Sequence, residues 1–322
     1  MERKLYSEIR ELYMTSKEFP HVIGIKVRMC DPIDRDVLRH ATDTTMERYP
    51  YFSVELKKID GQYHYADNPR PVVITNSLKG VELNSKESNY HMVAVSWAND
   101  WVVFDVFHAL TDGTGAYELV RTFLYYYCSE RYHVHISGEN VRLVEDEISD
   151  REWVDPIEGR TDLPTLPQKE IAKALNLCAT TGLEDDRRKT VYSIAIPESE
   201  FMRFNLDNDA SPATMVALLL SRAIASLFPD SKDVIRIILC VNQRTALKAP
   251  QAHQSLTGGA TLEYKDRTRD LPLSTQGTIT PAWSLPRPKR MWCSQALPPP
   301  PACLRCCFPR TPTRSGCRYC RT

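Results

Sequence analysis

The stretch WVVFDVFHALTDGTGAYELVRTFLYYYC, residues 101–128, decides how the chain is read. Its first seven residues, Trp101 to Phe107, are aromatic or β-branched almost throughout, which predicts a strand. The run His91 to Ala98 has the same character, and Asn99-Asp100 between the two supplies turn residues, so together they predict a β-hairpin. From Gly115 onward Leu119, Phe123, Tyr126 and Tyr127 recur at helical spacing, predicting an amphipathic helix packed on the hairpin. His108 and Asp112 fall in the loop between strand and helix, where rigid neighbours usually present reactive side chains.

The segment His108 to Gly113, HALTDG, resembles the H-x-x-x-D-G motif of the CoA-dependent acyltransferase superfamily, which includes chloramphenicol acetyltransferases, condensation domains and alcohol acetyltransferases. The longer FHALTDGTGAYELVRTFL looks most like the alcohol acetyltransferase branch. Condensation domains usually carry two adjacent histidines; Phe107 stands at the first position, and His108 matches the second, the family's catalytic one. MERYPYFSVEL, VNQRTAL at Val241 to Leu247, and the segment from Ala252-His253-Gln254 to Gly258-Gly259 extend the resemblance over most of residues 1–270.

The resemblance implies an α/β fold of two related halves, a CoA-dependent acyltransferase-like sandwich with mixed sheets whose second half is incomplete here. It implies His108 as general base, taking the proton of an alcohol or amine that attacks an acyl-CoA thioester directly, then protonating the CoA sulfur without a covalent acyl-enzyme. One neutral imidazole can perform both transfers in turn. Asp112 is structural in the family and pairs with an arginine; Arg244 and Arg48 are the candidates, and the sequence does not choose between them. Gly113 and Gly115 are expected to permit tight backbone geometry, since GTG lacks the context of a nucleotide-binding loop. No bound cofactor or metal is expected; acetyl-CoA or another acyl-CoA would be a co-substrate. Two further readings stand beside this one: a truncated, non-catalytic binding protein of the same fold, and condensation-domain-like amide or ester synthesis from carrier-bound substrates.

At 322 residues and 42% hydrophobic content the chain can bury a substantial core. A formal charge of zero gives no argument for a nucleic-acid partner. No apolar run approaches the roughly 18 residues of a membrane span, and the charged start MERKLYSEIRELY lacks a signal-peptide core, so a soluble cytoplasmic protein is the expectation. Cys30, Cys128, Cys178 and Cys240 read as reduced and mostly buried packing residues.

Along the chain, HVIGIKVRM predicts a strand, IDRDVLRHATDTTMERYP a helix with Pro32 near its start and Pro50 after its end, and YFSVELKKID with QYHYADN a strand pair around Asp60-Gly61. PVVITN is a further short strand. The proline-broken segment 138–168 suggests a crossover, giving an amino-terminal half 1–165 that carries HALTDG and a second half from 166 to 276. In that half KEIAKALNLCATTG reads as a helix, VYSIAIP as a strand and ESEFMRFNL as a helix. Ser211 and Pro212 open a helix whose all-round hydrophobicity predicts burial, and DVIRIILCVN is a strand.

Residues 277–322 form an aberrant Pro/Arg/Cys-rich tail. After Asp270 there are eight basic residues and no acid, with six of the ten cysteines. Cys303-x-x-Cys306 and Cys317-x-x-Cys320 have a zinc-like spacing. The run Pro298 to Pro301, the crowding by Cys293 and Cys307, the loss of acids and the end of the resemblance all follow from one cause, a shifted reading frame beginning near Gly277. The tail is therefore expected to be disordered and to hold no zinc. His133-Val134-His135 would put two imidazoles on one strand face, but no ligand set completes a metal site around them.

Overall fold

The computed structural model describes residues 2–4, 20–157, 173–177 and 193–279; the cysteine-rich segment beyond Ile279 lies outside them, as does most of KEIAKALNLCATTG. Two compact units are present, one drawn from Met1–Arg160 with Arg244–Leu256, the other from Thr161–Gln243 with Thr257–Lys289. Arg244–Leu256, which the sequence reading assigned to the second half, thus belongs with the first unit.

Among the described residues the first unit contains two sheets and two long helices. β1 (Glu2–Lys4), β3 (Val54–Ile59) and β4 (Gln62–Asp67) form a three-stranded antiparallel sheet in the order β1-β4-β3. The β3–β4 turn is Asp60-Gly61, both at positive φ (50° and 80°), the geometry that makes this dipeptide a favoured hairpin turn. The second sheet has the order β2 (Val22–Arg28), β7 (Trp101–Phe107), β6 (Val93–Ala98), β5 (Ile74–Thr75). The β6–β7 hairpin turns at Asn99-Asp100 with Asn99 at φ 52°, while β5 is only two residues long and runs parallel to β6. PVVITN therefore contributes less strand than its β-branched character suggests.

α1 (Arg35–Arg48) begins three residues after Pro32, because the Asp34 carboxylate accepts from the Asp36 and Val37 amides and caps the helix there. α2 (Gly113–Tyr132) starts two residues earlier than its apolar periodicity, capped by Asp112. On β7 the alternate residues Val102, Phe104 and Val106 are buried in one core with Leu119, Phe123 and Tyr127 of α2 and Leu38, Ala41 and Met46 of α1. Phe104 meets Phe123 edge-on, with ring centroids 4.8 Å apart. Each fully buried Val, Leu, Phe or Met among these contributes about 1.5–3 kcal/mol. The Tyr127 hydroxyl accepts the Asp34 N–H at 3.0 Å, joining α2 to the first turn of α1.

The described residues of the second unit form α3 (Glu198–Asp207), α4 (Pro212–Leu227), the antiparallel pair β8 (Ile235–Asn242) and β9 (Thr257–Tyr264), and α5 (Leu273–Ile279). Ser211 caps α4 by accepting the Thr214 N–H, with Pro212 in the first turn. Among the described residues its core is small: Ala217, Leu218, Ile235, Leu262 and Tyr264. Burial of α4 all round is not observed, since Val216, Leu220 and Leu227 are 51–73% exposed. Residues 193–197 of the expected strand VYSIAIP are in no ladder, and Ala174 makes an isolated parallel bridge with Val234 where a helix was expected. β9, with its Gly258-Gly259 pair, was not read as a strand. Among the described residues no single helix is long and apolar enough to cross a membrane.

Candidate functional site

The β2–β7 register determines where the loop begins. Val22 pairs with Phe107, and one step beyond, the His108 N–H donates to the His21 carbonyl at 2.9 Å. The chain then turns, with the Leu110 N–H donating to the Phe107 carbonyl at 2.9 Å. The buried Tyr65 hydroxyl, from β4, donates to the Ala109 carbonyl at 2.8 Å, and the Thr111 hydroxyl donates to the His253 carbonyl. The turn is thus tied to β2, to β4 and to the 244–256 segment. His108 projects from it half-buried, its ring stacked on that of His21 with centroids 4.6 Å apart and planes 12° from parallel. Its Nδ1 is buried and has no hydrogen-bond partner among the described residues.

Asp112 is buried at the start of α2. Its Oδ1 accepts from the amides of Thr114 (3.0 Å) and Gly115 (3.3 Å), and its Oδ2 from the amide of Leu256 (2.9 Å). Arg244 closes the arrangement with a fork, Nη1 to Oδ2 at 2.7 Å and Nη2 to Oδ1 at 2.9 Å. The guanidinium also donates to the Ala252 carbonyl through Nε (2.8 Å) and to the Gln254 carbonyl through Nη2 (2.9 Å). Burial pushes the Asp112 carboxyl upward, but the Arg244 bonds and charge, with the Leu256 and Gly115 amides, outweigh it and hold the group below the ordinary carboxylate range.

Between the two arginines left open by the sequence, Arg244 is the partner of Asp112. Arg48 is equally buried but forks onto Glu152 at 2.9 and 3.0 Å, and Glu152 also accepts from the Tyr51 hydroxyl and from Arg142. The two glycines also separate. A Cβ at Gly115 would collide with the Thr111 hydroxyl and lie 2.7 Å from the His253 carbonyl oxygen, whereas one at Gly113 would meet nothing within 4 Å. Close approach is needed at Gly115; Gly113 also lacks a positive φ, so the expectation of special geometry there is corrected.

His253 lies under these ties, 2% exposed and enclosed by Tyr49, Tyr51 and Phe52 with ring centroids at 5.3–5.7 Å. Burial, aided by the nearby Arg142 charge, pushes its pKa down to about 3, so it is a neutral packing residue at ordinary pH. A pocket of about 300 Å³ is lined by Thr114, Gly115, Glu118, Arg142, Arg244 and His253 among others; His108 is not in its walls. The pocket therefore belongs to the charged scaffold behind the loop. His133 is the left-handed capping residue that ends α2, at φ 50°, and His135 lies in no strand. Among the described residues no group of three or more His, Cys, Asp or Glu is placed to hold a metal ion.

His21, Tyr65, Thr111 and Glu152 were not singled out from the sequence. For His21 a signal existed: matching the strand HVIGIKVRM to Trp101–Phe107 in antiparallel register sets its first residue against the residue after Phe107. Tyr65 and Glu152 reach their partners across 44 and 104 residues, with no local pattern to announce them.

No family model matches the chain, and no curated protein matches it by sequence. Its structure is similar to the first condensation domain of the CDA synthetase, with a TM-score of 0.56 and 13% identity over 86% of this chain and 72% of that one. It is similar also to the epimerization domain from the third module of tyrocidine synthetase B (0.56, 12% identity, 86% and 73% covered). A third likeness is to polyketide synthase associated protein 5 from Mycobacterium tuberculosis (0.52, 15% identity, 86% and 70% covered). The chain has a condensation-domain-like fold. At identities this low the likeness establishes the α/β architecture with mixed sheets; the chemistry of a condensation-domain-like chain is carried by its own residues.

Proposed function

We propose that the chain is an acyltransferase that moves an acetyl or other acyl group from CoA to an alcohol or amine, with His108 as general base. The observation that carries the reading is the buried fork between Asp112 and Arg244, which holds the turn presenting His108 as the H-x-x-x-D-G resemblance implies. In the proposed step the imidazole takes the proton of the acceptor O–H or N–H, whose lone pair attacks the thioester carbonyl. The tetrahedral intermediate collapses, the C–S bond breaks, and the departing thiolate takes the proton back from the imidazolium. Asp112 acts through position only, since both its oxygens are occupied by backbone amides and Arg244.

A thioester held on a carrier protein is the second reading of the donor, favoured by the likeness to synthetase condensation and epimerization domains. The experiment that tests both follows free thiol released from acetyl-CoA, and from the same acyl group on a phosphopantetheinylated carrier, with a panel of alcohols and amines. Acceptor-dependent release from acetyl-CoA is expected. Release from the carrier alone replaces the first reading by the second, and release from neither removes both.

A further inference from the structure

We infer that His21 is a positioning residue for His108, the second ring of a stacked imidazole pair that fixes how the proposed base presents its nitrogens. The inference rests on the general-base reading of His108 and adds a residue that neither the H-x-x-x-D-G resemblance nor the fold assigns.

Three observations carry it. The β2–β7 ladder runs without a bulge from Arg28 opposite Trp101 to Val22 opposite Phe107, so its next pair is His21 opposite His108. Directly opposed residues in an antiparallel pair bring their Cβ atoms to about 4.5–5.5 Å, within reach of ring stacking. The backbone makes that juxtaposition obligatory, because the His108 N–H donates to the His21 carbonyl at 2.9 Å. The side chains complete it: centroids at 4.6 Å with planes 12° apart form a parallel stack, close to the shortest separation at which such rings pack.

The stack supplies what His108 otherwise lacks. Its Nδ1 is buried without a hydrogen-bond partner among the described residues, so no carboxylate or carbonyl there sets the ring's rotation as a partner commonly does for a working histidine. A flat neighbour against one face restricts that rotation in place of a hydrogen bond. When His108 takes a proton, the π face of His21 lies against the cation, a favourable contact that needs no charge of opposite sign. Phe107, where condensation domains carry an adjacent histidine, is largely buried, and the second imidazole comes instead from the residue that precedes β2.

The test uses the full 322-residue chain with His21→Ala and His21→Phe. Histidine ring protons are recorded by NMR with ¹⁵N-labelled histidine, the His108 signals being identified by their loss in His108→Ala. Stacked rings shield one another, so the His108 ring protons should move downfield in His21→Ala and stay near their wild-type positions in His21→Phe, which keeps a flat ring. In the thiol-release assay His21→Ala should lower kcat about tenfold with KM little changed, short of the roughly 100-fold that a 1 Å misplacement can cost, and His21→Phe should recover most of the loss. Unmoved His108 signals in His21→Ala overturn the stack. Moved signals with an unchanged kcat overturn the positioning role. If wild type turns nothing over, the acyltransfer reading fails and the NMR shifts alone decide whether His21 orients His108.

Discussion

Asp112 and Arg244 are 132 residues apart in sequence and meet with side chains 3% and 5% exposed, joined by two short bonds. Removing one partner leaves a buried charge unpaired, a loss of about 3–5 kcal/mol in comparable buried pairs. Asp112→Ala should therefore lower Tm by many degrees and reduce activity, because α2 also loses its cap. In the double variant Asp112→Ala/Arg244→Ala the loss should be smaller than the sum of the single losses, since no lone charge remains; additive losses in thermal melts would show that the two side chains do not depend on each other. His253 makes a prediction of the opposite electrostatic kind. Its pKa lies near 3 in the folded chain, well below the ordinary histidine value, so from about pH 6.5 downward the unfolded chain binds a proton that the folded chain refuses. Stability is thus lost as pH falls through that window, at up to about 1.4 kcal/mol per pH unit for one proton. His91, also held low by burial, contributes in the same sense. Replacing His253 by Phe should flatten the fall in stability between pH 6.5 and pH 4, measured by urea unfolding; an unaltered slope would contradict the burial argument.

At the scale of elements, the start of α2 is the junction on which the site depends. Gly115 faces the Thr111 hydroxyl and the His253 carbonyl, so Gly115→Ala must shift backbone and should cost about 1–3 kcal/mol. Gly113→Ala meets nothing and replaces a flexible residue in a helical turn, so it should be neutral or stabilise by roughly 0.5–1 kcal/mol. Thermal melts of the two variants side by side check this, and equal effects would contradict the geometry. The same junction shows what was legible beforehand. The hairpin could be read because β-branched alternation and Asn99-Asp100 are local signals, and α2 could be read from its apolar spacing. Its first turn could not, since the cap that starts it is also the ion-pair partner of a residue far along the chain. The choice of Arg244 over Arg48 was hidden for the same reason: each has a buried carboxylate, and only tertiary structure says which. Strand β9 was missed because two adjacent glycines erase β propensity, and its existence comes from pairing with β8.

At the scale of the whole molecule the two units differ in how much they bury. Among the described residues the first has a continuous core across the β2-β7-β6-β5 sheet and both long helices, while the second buries few apolar side chains and leaves Leu220 and Ile238 at 51% and 66% exposure. Uniform hydrophobicity, read as burial for α4, marks a helix that the described partners cover on one side only. Leu220→Lys and Ile238→Lys should therefore change stability by no more than about 0.5 kcal/mol while reducing self-association in light scattering. A large fall in Tm would mean that these side chains are covered in solution. The central claim, that this fold presents His108 for proton transfer in acyl transfer, is tested most directly by thiol release from acyl-CoA by wild type and His108→Ala, with the Tm of each recorded. The account predicts a fall in kcat/KM of about 10²–10⁴-fold, the range general-base catalysis supplies, with Tm little changed. Turnover by His108→Ala equal to wild type would contradict it.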